Sequence, residues 1–131
     1  MKNVSIFHGT AGTPSHFWFP YLKENLESSN VKVWLPQLPD TDIPNIEKWL
    51  PFALENGLYD RDTTLVAHSA GCALILSILE KIDVKIDKAI LVAGFTESLD
   101  LSPDPILQTS YDWEKIKENC NNFYFINSDN D

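Results

Sequence analysis

The chain has 131 residues, 44% of them apolar and 22% charged, and a formal net charge of −9. This length fits a single domain, which would bury roughly two thirds of the surface that its unfolded chain exposes. The acidic excess repels phosphate backbones and anionic lipids, so we expect neither nucleic acid nor a membrane surface as a partner.

The cysteines and the apolar stretches indicate the compartment. No apolar stretch has the length of a signal peptide or of a membrane-spanning helix. Cys72 and Cys120 fall in segments that we predict to be helical, and they lack metal-ligand spacing. We therefore expect two reduced, buried thiols in a cytoplasmic protein, with no metal and no other cofactor.

The first part of the chain alternates strands and helices. The apolar residues 4–7 predict a buried strand, and the small or turn-forming residues 8–14 predict a loop after it. An apolar stripe predicts a helix over residues 18–28. A second apolar run predicts a strand over residues 31–35.

The same alternation continues to the last residues. A helix should begin at Pro44 or Asn45, with a break or kink at Pro51, because proline removes a helical N–H and clashes with the preceding turn. The remaining elements are predicted in this order: a strand at 63–67, a helix at 70–81, a strand at 88–92, a helix at 112–120 and a strand at 122–126.

The strands predict the fold class. They are near-continuous apolar runs that alternate with helices, a pattern typical of a parallel sheet covered on both faces. We therefore predict one α/β domain over residues 1–131, with an open parallel sheet of five strands. In such sheets ligands bind beyond the carboxyl ends of the strands. The loops of interest follow Phe7, Ala67, Val92 and Ile126.

A nucleophile motif lies at the joint between the third strand and the next helix. Ala67-His68-Ser69-Ala70-Gly71 matches the G-x-S-x-G pattern, with alanine in place of the first glycine. In that pattern a strained turn exposes the serine hydroxyl, and small residues are needed two before and two after it. The motif predicts that Ser69 is a nucleophile. The alternative is that Ser69 only caps the helix.

Two backbone N–H groups are candidates for an oxyanion hole, the donors that stabilise the negative oxygen of an acyl-transfer intermediate. One is the N–H of Ala70 at the helix start, and the other is the N–H of Thr10 in the loop after the first strand. We interpret His8 as a brace for that loop. We interpret His68 as a packing residue, because a direct neighbour on such a turn points away from the serine hydroxyl.

Carboxylates follow the last strand, in the stretch Asn127-Ser128-Asp129-Asn130-Asp131. A carboxylate at the tip of a strand two along from the nucleophile strand is placed to orient a catalytic histidine. Such a stretch is also common in ordinary solvated loops. It therefore supports a catalytic site only together with the serine motif and the loop after the first strand.

Four stretches resemble the small α/β-hydrolase-fold serine hydrolases of the bacterial YdeN type, which are related to retinoblastoma-binding-protein-type serine hydrolases. They are "IFHGTAGTPSHFWFPYLKENL", "LVAHSAGCALILSILE", "AILVAGFTESL" and "FYFINSDND". The resemblance implies the strand order 2-1-3-4-5 and hydrolysis of small acyl esters or related acyl compounds. It places the nucleophile at Ser69 and the triad aspartate at Asp131, with Asp129 ranked second.

The histidine of the triad is the point of departure from that family. Its members continue past the aspartate with a helix, a strand and a loop that carries the histidine, and the order is nucleophile, acid, histidine. The histidines of this sequence are His8, His16 and His68, so none fits. We expect an N-terminal piece of a hydrolase that is nearly inert alone, with a small acyl compound as its substrate.

Two other readings compete with the hydrolase. One is a non-catalytic protein-binding domain of the same fold, in which the serine turn is a relic. The other is a flavodoxin-like or dinucleotide-binding domain, which the lack of a G-x-G-x-x-G loop disfavours. Phe17, Trp18 and Phe19 are candidates for an acyl pocket, although core packing is expected for at least two of them. The loop at 95–104 is a candidate lid wall or a plain connection.

Overall fold

The computed structural model describes residues 1–96 and 104–127. Within them the strands are β1 (Asn3–Phe7), β2 (Lys32–Trp34), β3 (Thr63–His68), β4 (Ile86–Val92) and β5 (Cys120–Ile126). The helices are α1 (Phe19–Ser28), α2 (Ile46–Asn56), α3 (Ala70–Lys81) and α4 (Trp113–Glu118). None of these helices is both long and apolar enough to cross a lipid bilayer.

The strands form one parallel sheet in the order β2-β1-β3-β4-β5, which confirms the predicted fold class and strand order. The register aligns the carboxyl ends of the central strands: Phe7 pairs with Ala67, His68 with Val92, and Val92 with Ile126. The loops that leave these four strands therefore start side by side at one edge of the sheet.

Alternate residues of the strands pack against helices on opposite faces. Leu65 and Ala67 of β3 belong to the core shared with α2, α3 and α4, whereas Val66 between them packs with α1. Side chains on a strand alternate between faces, so this division shows that helices cover both sides of the sheet. α3 lies deepest, and Ala70 to Leu79 are all buried in it.

Of the break or kink expected at Pro51, the break is wrong, because α2 runs from Ile46 to Asn56 with Pro51 inside it. Pro51 itself is exposed, while Trp49 and Ala53 on either side of it are fully buried. The Asn45 side chain caps the helix start by accepting from the Glu47 N–H at 2.9 Å. The burial of Trp49 and Ala53 and the Asn45 cap together offset the roughly 3 kcal/mol of helix stability that an internal proline costs.

Cys120 was expected in a helix, and the structure places it at the first residue of β5. α4 ends at Glu118 because the Asn119 side-chain amide donates to Leu79 O at 2.7 Å and to Ile82 O at 2.9 Å. These two bonds fix the turn against the end of α3. Both cysteines are free and buried, as predicted.

An apolar cavity of about 620 Å³ lies on the face of the sheet beside α1. Leu22 and Leu26 of α1 and Val66 and Ile90 of the strands are among its walls, and Ser69 is not. The cavity therefore does not mark the predicted site around Ser69.

Candidate active site

Ser69 occupies a strained turn between β3 and α3. Its backbone has φ 55° and ψ −118°, in the left-handed half of conformational space that costs a non-glycine residue about 1–3 kcal/mol. The Ser69 N–H donates to Val92 O at 2.8 Å, which holds the turn against β4. The Ser69 side chain makes no capping hydrogen bond. Helix capping therefore does not explain this serine.

The residues around Ser69 must be small, as the motif requires. Ala67 is fully buried. A Cβ on Gly71 would lie 2.6 Å from Phe7 O and 2.7 Å from His8 O, so only glycine fits between the helix start and the end of β1. A Cβ on Gly9 would lie 3.0 Å from the Ser69 Cβ. The loop after β1 thus lies directly against the serine turn.

Both predicted oxyanion donors belong to this contact. A Cβ on Gly9 would lie 3.5 Å from the Ala70 nitrogen, and Thr10 is the next residue of the same loop. Within residues 1–96 and 104–127, neither the Thr10 N–H nor the Ala70 N–H donates a hydrogen bond. Free N–H groups beside a nucleophile can bind a developing oxyanion. Their roles stay predictions.

His8 braces the oxyanion loop, in keeping with our interpretation of it. The ring is fully buried; Nδ1 lies 3.0 Å from Gly9 O, and Nε2 accepts from the Leu38 N–H at 2.9 Å. These partners fix the tautomer with its proton on Nδ1. Burial lowers the pKa of His8, although the bond to Gly9 O acts in the opposite direction. His8 is therefore a neutral, fully engaged ring.

The other two histidines are not bonded to the Ser69 hydroxyl either. The His68 ring packs against the Phe17 ring with centroids 5.3 Å apart, and the exposed His16 ring lies 5.6 Å from the Phe17 ring. All three histidines are described, and none hydrogen-bonds to the Ser69 hydroxyl. The packing role expected for His68 agrees with this contact.

The proposed acids, Asp131 and Asp129, lie outside the described residues. The strand that precedes them is described, and β4 separates it from the nucleophile strand, as expected. The Ala93 N–H donates to Ile126 O at 2.8 Å, which ties the end of β5 to the residue after β4. The role of Asp131 stays a prediction.

Backbone strain marks this edge of the sheet, and little of it can be recognised in the sequence. Among the described residues, five non-glycine positions with positive φ follow the carboxyl ends of strands: Ala11, Phe17, Asp40, Ser69 and Ala93. The sixth, Asn30, precedes β2 at the opposite edge. Strained residues tend to cluster at functional sites. Alanine and phenylalanine carry no sequence signal for positive φ and aspartate carries a weak one, whereas the nucleophile motif singles out Ser69.

Cys72 is close to Ser69 but is not a second nucleophile. Its Sγ lies 3.5 Å from Ala67 O and 3.4 Å from Val92 O, and burial raises the pKa of the thiol to about 12. The reactive form of cysteine is the thiolate, which such a pKa suppresses. Within the described residues there is also no cluster of three or more potential metal ligands.

The three candidate pocket aromatics divide as expected. Phe19 is fully buried, and the half-buried Trp18 packs with the core on the α1 side, so two of them are packing residues. Phe17 is 71% exposed. Of the candidate lid loop, residues 97–103 lie outside the described residues, and Phe95 lines a cavity of about 190 Å³ with Cys72 and Phe125.

Comparisons with known proteins agree with this geometry. A family model described as serine hydrolase matches residues 4–131. The chain is 35% identical to the putative hydrolase YdeN of Bacillus subtilis (strain 168), over 99% of this chain and 71% of that protein. It is 27% identical to the serine hydrolase RBBP9 of Rattus norvegicus, over 86% of this chain and 62% of that protein.

Solved structures show the same fold. The crystal structure of the B. subtilis ydeN gene product matches with a TM-score of 0.90 at 34% identity, over 100% of this chain and 73% of that one. An extracellular α/β-hydrolase from a Paenibacillus species matches with a TM-score of 0.58 at 15% identity, over 75% of this chain and 43% of that one. The second match concerns the fold alone.

Proposed function

Because the chain belongs to the serine hydrolase family, we propose that it hydrolyses small acyl esters or related acyl compounds through Ser69. One observation carries the proposal. Ser69 holds a strained, positive-φ backbone without using its hydroxyl as a helix cap, directly against the loop that bears the second free N–H. A serine that served only the fold would not need this strain.

In the proposed reaction, Ser69 Oγ attacks the acyl carbon while a histidine base takes its proton. The carbonyl oxygen becomes negative and accepts hydrogen bonds from the N–H groups of Thr10 and Ala70. The histidine returns the proton to the leaving alcohol, and water, activated by the same base, then hydrolyses the acyl-serine. Asp131, or Asp129 as second choice, orients the base.

The base in this proposal is a histidine from outside residues 1–131. The engaged ring of His8, the packing of His68 on Phe17 and the exposure of His16 support this assignment. Loss of a triad histidine lowers kcat by on the order of a millionfold, leaving about 10³- to 10⁴-fold over water. We therefore expect the 131-residue chain alone to be nearly inert.

Its free, buried cysteines support a cytoplasmic location.

Chemical rescue tests the proposal on the chain as it stands. Free imidazole can substitute for a missing base, so p-nitrophenyl acetate plus imidazole should acetylate Ser69, detected by intact mass and peptide mapping. The Ser69→Ala variant corrects for hydrolysis by imidazole in solution. Absence of acetyl-Ser69 under every condition would refute the nucleophile and favour a binding domain with a relic serine. Turnover of about 1–10³ s⁻¹ without imidazole would refute the missing base.

A further inference from the structure

We propose that the exposed ring of Phe17, packed on His68, forms the wall of a substrate subsite that binds an aromatic or bulky apolar group of the ester; this inference rests on the proposed function of Ser69. The starting point is that Phe17 combines a strained backbone with an exposed apolar side chain. Its backbone has φ 51°, a conformation that a bulky residue rarely adopts, and its side chain is 71% exposed. Neither burial nor backbone preference explains a phenylalanine there.

The position of the ring supplies the reason. Its centroid lies 5.3 Å from that of His68, which directly precedes Ser69, and 6.0 Å from that of the buried Phe19. The loop that carries Phe17 also contains Gly9, which lies against the Ser69 Cβ. Both the near and the far part of this loop therefore adjoin the serine turn, through Gly9 at Ser69 and through the Phe17 ring at His68.

The chemistry of the wall defines the ligand class. The exposed Phe17 ring, tilted by 44° on the His68 ring, offers an aromatic surface to a ligand. A ligand ring prefers to stack on such a surface or to meet it edge-to-face, at centroid distances of about 4.5–7 Å. Such a pair adds about 0.5–1.5 kcal/mol beyond area burial, which corresponds to about a 2- to 12-fold change in affinity. An acetyl or methyl group is too small to gain it.

The test measures binding, so that it does not depend on catalysis. In the Ser69→Ala chain, methyl phenylacetate and methyl acetate are titrated while the carbon-bound ring protons of His68 are followed by NMR. We expect tighter binding of the aromatic ester, with a shift of the His68 resonances. Adding Phe17→Ala should weaken the aromatic ester about 2- to 12-fold and leave methyl acetate unchanged, while Phe17→Tyr should keep the preference.

Tyr21→Ala is the matched control, because Tyr21 is also 71% exposed but lies on α1. The inference is wrong if the Ser69→Ala chain shows no preference for the aromatic ester, or if Phe17→Ala keeps it. If Phe17→Ala only destabilised the fold, it would weaken the binding of both esters alike, and that result would also count against the inference. Failure of acetylation in the rescue experiment, with the binding preference intact, would remove the nucleophile and leave the subsite.

Discussion

Gly71→Ala perturbs the contact on which the serine turn depends. The added Cβ would lie 2.6 Å from Phe7 O and 2.7 Å from His8 O, distances at which something must move. Both neighbours are backbone atoms, so no side-chain rotation relieves the clash, and we take the upper end of the roughly 1–3 kcal/mol that overpacking costs. Alanine recovers about 1 kcal/mol of helix propensity. The net loss of folding free energy is therefore about 2 kcal/mol.

Thermal unfolding gives the first readout of this substitution. An unfolding entropy of about 2.1 cal/mol/K per residue makes 1 kcal/mol worth about 4 °C in a chain of this length, so Tm should fall by about 7 °C. The second readout is imidazole-dependent acetylation of Ser69, which should slow because the Ala70 N–H moves with the helix start. A Gly71→Ala chain that melts at or above the parent Tm would show that helix propensity outweighs the clash. The reasoning would then be wrong.

Three further predictions concern buried or networked groups elsewhere in the chain. Among the described residues the buried Ser77 hydroxyl has no hydrogen-bond partner, so Ser77→Ala should raise the unfolding free energy by about 1 kcal/mol in urea titration; a loss would reveal a hidden partner. Burial raises the pKa of Asp60, but bonds from the Asp62 N–H, the Asn3 amide and the Thr63 hydroxyl outweigh it and lower the pKa overall. The resulting stability is present above about pH 3.9 and lost as the pH falls below it, so Asp60→Asn should flatten the acid limb of the stability profile; an unchanged limb would contradict this. Burial raises the pKa of both Cys72 and Cys120, so iodoacetamide at pH 8 should alkylate them only after unfolding, and rapid labelling of the native chain would contradict their burial.

The sequence was informative wherever one local rule dominated. The apolar run of α3 fits only a buried helix, and the small residues before and after Ser69 fit only a tight turn. The predicted helix over residues 70–81 has the same bounds as α3. Predictions were wrong where tertiary contacts overrode a local rule. Buried Trp49 and Ala53 carry α2 through Pro51, and the Asn119 amide ends α4 before Cys120. The core that buries Trp49 and Ala53 is distant in sequence, as are the Leu79 and Ile82 carbonyls that bind the Asn119 amide, and no local pattern contains them.

The strained residues were hidden for a different reason. Asparagine and glycine favour positive φ, and Asn30 conforms to that rule. Ala11 and Ala93 adopt the same conformation with their N–H groups bonded to neighbouring chain, Ala11 to Thr41 O at 2.7 Å and Ala93 to Ile126 O at 2.8 Å. Phe17 adopts it as well. Strain of this kind can be seen only in the folded chain. The sequence named Phe17 as one of three pocket candidates, and only the structure shows its positive φ and its exposed ring against His68.

The edge of the sheet also ties the serine turn to the strand that precedes the proposed acid, without side-chain contacts. The Ser69 N–H bonds to Val92 O, and the Ala93 N–H bonds to Ile126 O, so two main-chain bonds link the serine turn to the last residue of β5. Main-chain bonds do not depend on residue type. The segment that carries Asp131 thus leaves the sheet at a point fixed relative to Ser69, whatever side chains lie between them. Substitutions along β4 and β5 that preserve these bonds should therefore change stability without displacing the serine from the acid-bearing segment.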